Sequence, residues 1–213
     1  MGIDTSKING TRFMFTIAFF LQSSALLTSL IASLTLNNSW LSGLFAFFAC
    51  IPLIYIYKTI MVKFPDKNLI QVLKIVYGKI FGSIIGATYV WFFLTLTALS
   101  ISDLGDFAKI TVMFQTPKIV LTLLCIIVSV FAVRHGLGVV TRYSAAFTFL
   151  EFAIVGLSIL LVLNQLDFSN FLPIFNLPIG KYLQSIHIAS TIPMGELMVF
   201  LMLHQTLKLI RKK

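Results

Sequence analysis

The stretch Thr191-Ile192-Pro193-Met194-Gly195-Glu196 decides the reading of this chain. It lies inside a long apolar run, so a proline, a glycine and a carboxylate adjoin one another at bilayer depth. Proline lacks the backbone N–H that a helix needs, and glycine weakens a helix. The segment is therefore expected to unwind or kink and to leave backbone groups free beside an acid. Lipid does not tolerate such groups, whereas a protein-lined cavity does. Broken helices of this kind build the midplane sites of one class of transporter folds.

The composition around that stretch agrees. Of 213 residues, 58% are hydrophobic and 11% are charged, against about 25% charged in an average soluble chain. The chain reads as an all-α integral membrane protein with one transmembrane domain over 1–213. Six apolar stretches, each near the length that crosses a bilayer, lie at about 12–36, 40–62, 80–101, 118–134, 139–163 and 186–207. Between the second and third, Lys67 to Tyr77 reads as an amphipathic helix at the membrane surface. Gly78, Gly82 and Gly86, spaced by four, form a smooth ridge for close helix packing. Asp103 to Met113 is more polar and prolongs the third helix beyond the bilayer.

The net charge of +9 does not indicate nucleic acid, because the basic residues lie between apolar runs and not on one polar face. They set orientation instead. With the amino terminus inside, the cytoplasmic side holds Lys7, Arg12, Lys58, Lys63, Lys67, Lys74, Lys79, Arg134, Arg142, Lys208, Arg211, Lys212 and Lys213, thirteen of the 16 basic residues. Only Lys109, Lys118 and Lys181 fall outside. That bias predicts six spans with both termini cytoplasmic. The first span is too long for a signal-peptide core and ends in no cleavage site.

Glu196 has two readings: a neutral structural acid bonded between helices, or a cavity acid that senses or couples to a ligand. Glu151, midway along the fifth span among Phe149, Leu150, Phe152 and Ala153, must face protein or water; helix packing and a cavity role are both open to it. In the first span, Gln22, Ser23, Ser24 and Ala25 interrupt the apolar run. Serines bonded back to their own helix would leave it ordinary; the alternative is a break that matches the one at Pro193. His187 and His204 read as helix-end residues, Cys50 and Cys125 as small buried hydrophobes, and Gly136-Leu137-Gly138 as a turn. Neither a metal-ligand spacing nor a nucleophile–base arrangement is present in the sequence, and no cofactor is implied.

Taken in order, Leu26-Leu27-Thr28, Gly82-Ser83-Ile84-Ile85-Gly86, Gln115-Thr116-Pro117, Gly136 to Arg142, Phe168 to Pro173 (FSNFLP) and Gly195 to Leu201 (GELMVFL) resemble one family. These stretches are similar to the B subunits of nutrient germinant receptors of endospore-forming bacteria, in the amino acid–polyamine–organocation superfamily. The resemblance implies two inverted five-helix repeats, of which this chain would hold the first and the opening helix of the second: a truncated member, whether a fragment, a disrupted reading frame or a shortened chain. It implies a small nutrient ligand, an amino acid or nucleoside, bound at Gln22, Ser23, Ser24, Ala25, Thr191, Pro193, Gly195 and Glu196. It implies A and C subunits as partners, and the spore inner membrane as location. The family usually has glycines where this chain has Ser23, Ser24 and Ala25, so a weaker break is expected there. The rival reading is a permease that moves an amino acid with H⁺ or Na⁺, with Glu196 or Glu151 carrying the coupling proton.

Overall fold

The computed structural model describes residues 8–23 and 27–203, with the backbone alone for Leu27 to Ser29. The described chain is built of helices: α1 Gly10–Ser23, α2 Leu27–Thr35, α3 Ser39–Lys63, α4 Leu69–Tyr77, α5 Lys79–Thr111, α6 Lys118–Arg134, α7 Leu137–Val162, α8 Ile179–Ala189 and α9 Phe200–Leu203. Four helical runs are long and apolar enough to cross a bilayer: 30–63, 79–111, 137–165 and 179–203. The protein is an all-α integral membrane protein. Two of the six expected spans fall outside that set. One is α6, whose 17 residues reach about 25 Å at 1.5 Å per residue. The other is the first, divided between α1 and α2.

Helix boundaries follow local chemistry. Between α2 and α3 the chain makes a single tight turn at Leu36–Asn38, with Leu36 at φ 49°. The amphipathic stretch forms α4, and Asn68 caps it: its side chain accepts from the Gln71 N–H at 2.9 Å while Gln71 accepts from the Asn68 N–H at 3.1 Å. That reciprocal pair satisfies two donors that a helix start leaves open. Leu69 and Val72 are the buried face of α4. Gly78, at φ 80°, and Gly136, at φ 86°, make the reversals into α5 and α7, a backbone region that suits glycine. Gly78 is thus a connector and not part of the packing ridge. The last apolar helix begins at Ile179, earlier than the expected 186, because Pro178 with φ −56° presets the entry into a helix.

The rest of the glycine ridge finds its partner in α4. A Cβ at Gly82 would lie 2.6 Å from the Leu73 carbonyl oxygen and the Lys74 Cα, and one at Gly86 would lie 3.2 Å from Ile70. On the other half of α5, Gly105 admits α6: a Cβ there would lie 2.6 Å from the Thr122 methyl. Beside it Lys118 of α6 pairs with Asp106 and donates to the Ser102 hydroxyl at 2.8 Å. The helix α5 does extend past the apolar stretch, to Thr111. Elsewhere α1 packs on α7, and both α2 and α3 pack on α8. Large side chains along α5, α6 and α7 are widely exposed, as a lipid-facing surface requires.

Candidate functional site

The deciding stretch, expected to unwind or kink, does not unwind: it stays helical but departs from the regular α ladder. After α8 ends at Ala189 the backbone forms a π turn at Ser190–Met194, then a 3₁₀ turn at Gly195–Val199, and returns to α9 at Phe200. Pro193 has no N–H for the carbonyl one turn before it, and its ring would collide with that carbonyl. The wider turn relieves both problems, and the Gly195 N–H reaches the Ser190 carbonyl. The tighter 3₁₀ turn that follows takes up the extra residue. π turns inside α-helices recur at functional sites.

Two side chains of α3 cover the carbonyls of this irregular segment. The Tyr57 hydroxyl donates to the Gly195 carbonyl at 3.0 Å, and the Cys50 thiol lies 3.6 Å from the Ser190 carbonyl. Cys50 and Tyr57 are seven residues apart, so two helical turns bring them to the same face. Cys50 is buried, as expected, but it is also a weak donor. Tyr57 is not legible as a site residue in the sequence. Its only signal there is a hydroxyl two turns from Cys50 in an apolar span.

The end of α1 packs on the same segment. Phe13 and Phe20 both meet Phe200 edge-on, with ring centroids 5.4 Å apart, and Ile17, Leu197 and Val199 fill in around them. Gln22 sits in the last turn of α1, and its Oε1 is buried without a partner among the described residues. The Ser23 hydroxyl donates back to the Phe20 carbonyl at 2.6 Å. Ser24 and Ala25 lie outside the described residues, as does His204. On the other side, Thr191 Oγ1 lies 3.4 Å from His187 Nδ1. Glu196 is half-buried at the start of the 3₁₀ turn.

Glu151 belongs to a different contact. On α7 the buried polar line Thr141, Ser144, Thr148 continues, one turn on, to Glu151. Thr148 donates to the Phe15 carbonyl of α1 at 3.3 Å, and the Oε2 of Glu151 is buried without a partner among the described residues. Gln22 and Ser23 thus end α1, whose Phe20 meets Phe200; Thr191, Pro193, Gly195 and Glu196 lie along the irregular segment just before Phe200, and Glu151 lies on α7.

A cavity of about 570 Å³ opens beside them. Phe20 and Val199 form one side; Phe93, Thr97, Ser100 and Ser129 of α5 and α6 form part of the other. The hydroxyls of Thr97, Ser100 and Ser129 are bonded back to carbonyls of their own helices at 2.8, 2.9 and 2.8 Å, so the walls are apolar in effect. Neither Glu196 nor Glu151 lines it. The α5 wall carries no sequence signal beyond serines and threonines one turn apart. Among the described residues no group of three His, Cys, Asp or Glu side chains is placed to hold a metal ion.

The fold is that of an apolar helical membrane protein with an irregular helix bonded to a second helix. The chain belongs to the spore germination protein family, whose profile matches residues 7–213. It is 25% identical over 198 residues to spore germination protein KB of Bacillus subtilis (strain 168), covering 92% of this chain and 52% of that one. It is 30% identical over 164 residues to the putative spore germination protein YfkT of the same organism, covering 76% of this chain and 45% of the relative. The chain therefore spans about half the length of the curated relatives it matches. No solved structure matches.

Proposed function

We propose that this chain is the permease-like part of a nutrient germinant receptor, and that a small nutrient, an amino acid or nucleoside, binds against the junction of α1 with residues 190–199. The observation that carries this reading is the π-to-3₁₀ switch at Ser190–Val199, whose Gly195 carbonyl accepts from Tyr57 and whose continuation at Phe200 packs on Phe20 of α1. Where the hydrogen-bond pattern switches, the backbone groups that the α3 side chains do not serve would meet the two charged ends of a zwitterion. Glu196, at the start of the 3₁₀ turn, is the charge-bearing member of the site. Gln22 and Ser23 at the end of α1, with Thr191, Pro193 and Gly195, supply the other ligand contacts in this reading. Binding shifts a conformational equilibrium that partner A and C subunits relay. In this reading the chain is not an enzyme, it lies in the spore inner membrane, and its six spans leave both termini cytoplasmic.

The second reading, an amino acid permease coupled to H⁺ or Na⁺, is favoured by one observation: the buried oxygen of Glu151 in a span, without a partner among the described residues, a place where a proton is readily carried. One pair of assays separates the readings. In spores that carry this protein, Glu196→Gln should shift the nutrient concentration needed for germination while protein level is kept, and Glu196→Leu should shift it further. Normal germination of the Gln variant at normal nutrient concentration would return Glu196 to a structural role. Uptake of labelled amino acid by membranes containing the wild-type protein, abolished by Glu151→Gln, would select the permease.

A further inference from the structure

We propose that residues 163–178, the connection from α7 to α8, form a strained strap that Asn38 latches shut, and that release of the latch lets α8 part from α3.

Two backbone positions carry the strain. Among the described residues, Leu36 at φ 49° and Phe175 at φ 58° are the non-glycine residues with positive φ. That conformation crowds Cβ against the backbone, and for a bulky side chain it is an outlier. Such residues persist only where their surroundings over-determine them, and they collect at clamps and switches. These two are far apart in the chain, yet they meet at one side chain. Asn38 lies two residues after Leu36 and is 1% exposed. Its amide donates to the Pro173 carbonyl at 3.3 Å and to Asn176 Oδ1 at 2.7 Å, so the two bonds straddle Phe175. Both donors of the amide go to the strap.

The rest of the closed arrangement is loosely held. Asn38 Oδ1 is buried without a partner among the described residues, which is unfavourable. The Phe175 ring lies 6.5 Å from that of Phe45 and 5.6 Å from that of Tyr182, centroid to centroid, and stays largely exposed. With Leu177, these three rings border a hollow of about 330 Å³, so the strap does not rest on a filled core. Two strained residues, a buried unpaired oxygen and a hollow oppose closure; the Asn38 bonds and the ring contacts favour it. Terms so balanced give two states. In the open one, Leu36 and Phe175 return to ordinary φ.

The strap acts through the helix it leads into. Contacts join Asn38 to Asn176, Cys50 to Ser190 and Tyr57 to Gly195, at sequence separations of 138, 140 and 138 residues. So constant a separation means that α3 and α8, with its continuation, run parallel from the latched end. Pro178 passes directly from the strap into α8, whose buried face is Tyr182, Ser185 and Ala189. The neighbours of α8 are α2 and α3. An open strap therefore bares this face, while the packing of α1 on α7 stays shut.

Alkylation by N-ethylmaleimide, with the purified protein in lipid nanodiscs and each thiol read separately by mass spectrometry, tests this. The protein carries Ser185→Cys and Ser144→Cys together. Ser185 is 0% exposed and its hydroxyl has no partner among the described residues, so the exchange of oxygen for sulfur removes no bond. Ser144, 2% exposed on α7, reports on the rest of the fold. When reclosing outruns the reagent, the labelling rate follows the open population. Leu36→Gly should slow labelling at position 185 several-fold, because glycine takes positive φ freely and Leu36, 61% exposed, gives up little packing. Asn38→Ala should speed it about tenfold, through the loss of both latch bonds. Neither change should alter position 144. Unchanged or faster labelling at 185 in Leu36→Gly would overturn the proposal, whether or not Asn38→Ala folds. So would an unaltered rate at 185 in Asn38→Ala, or equal acceleration at both positions, which would mean a fold loosened throughout.

Discussion

Two prolines of this protein sit inside apolar helices and have opposite consequences. Pro52 lies within α3, which runs as one α-helix from Ser39 to Lys63. Pro193 lies where α8 changes to a π turn and then to a 3₁₀ turn. Proline is the same chemical insult in both: a missing donor and a ring against the carbonyl one turn back. The difference lies in what surrounds it. Pro52 is followed by Leu53 and Ile54, which hold a helix well enough, and Pro193 by Met194 and Gly195. The irregular segment also has an external donor for its carbonyls, from Tyr57 and Cys50, which themselves flank Pro52 on α3. A proline switches the register of a membrane helix when a glycine follows and a neighbour serves the exposed carbonyls.

The comparison can be broken most sharply by Pro193→Ala. An alanine restores the donor and lets the regular ladder run through 190–199. The nutrient concentration for half-maximal germination should rise about tenfold, which corresponds to about 1.4 kcal/mol of binding. An unchanged dose–response would mean that the π turn is packing detail. Next comes Tyr57→Phe, which removes one hydrogen bond to Gly195. Thermal unfolding in detergent should register a loss of about 1 kcal/mol, with a several-fold weaker nutrient response. Cys50→Ala should have the same sign and a smaller size, because a thiol is a weak donor. Pro52→Ala completes the set, and its dose–response curve should overlay that of the wild type. A large shift there would show that α3 too is poised to change register.

How far the sequence leads is visible in the same residues. Pro193 and Gly195 are near neighbours in the chain, so their joint effect is local and legible from the residues themselves. The outcome, a helix of changed register and not an unwound one, depends on Tyr57, 138 residues away, and no local pattern reveals it. The amphipathic pattern of α4 and the Asn68–Gln71 cap are likewise local. Gly82 and Gly86 are legible as a surface of close approach, but that the visitor is α4 is set by tertiary packing. The start of α8 at Ile179 is hidden because the preceding loop is rich in prolines and reads as irregular until Pro178 is seen to begin a helix. Glu151 and Glu196 are alike in sequence terms, two acids in apolar spans. The fold separates them, one against α1 along a line of buried hydroxyls and the other on the irregular turn.

That separation supplies the most direct test. Equilibrium binding of a panel of tritiated L-amino acids and purine nucleosides should be measured on membranes holding the wild-type protein, Glu196→Gln and Glu151→Gln at matched protein levels. The account predicts that one ligand binds the wild type, that Glu151→Gln retains its affinity, and that Glu196→Gln weakens it by about tenfold or more. Wild-type affinity in Glu196→Gln would contradict the claim that the turn bearing Glu196 is the nutrient wall.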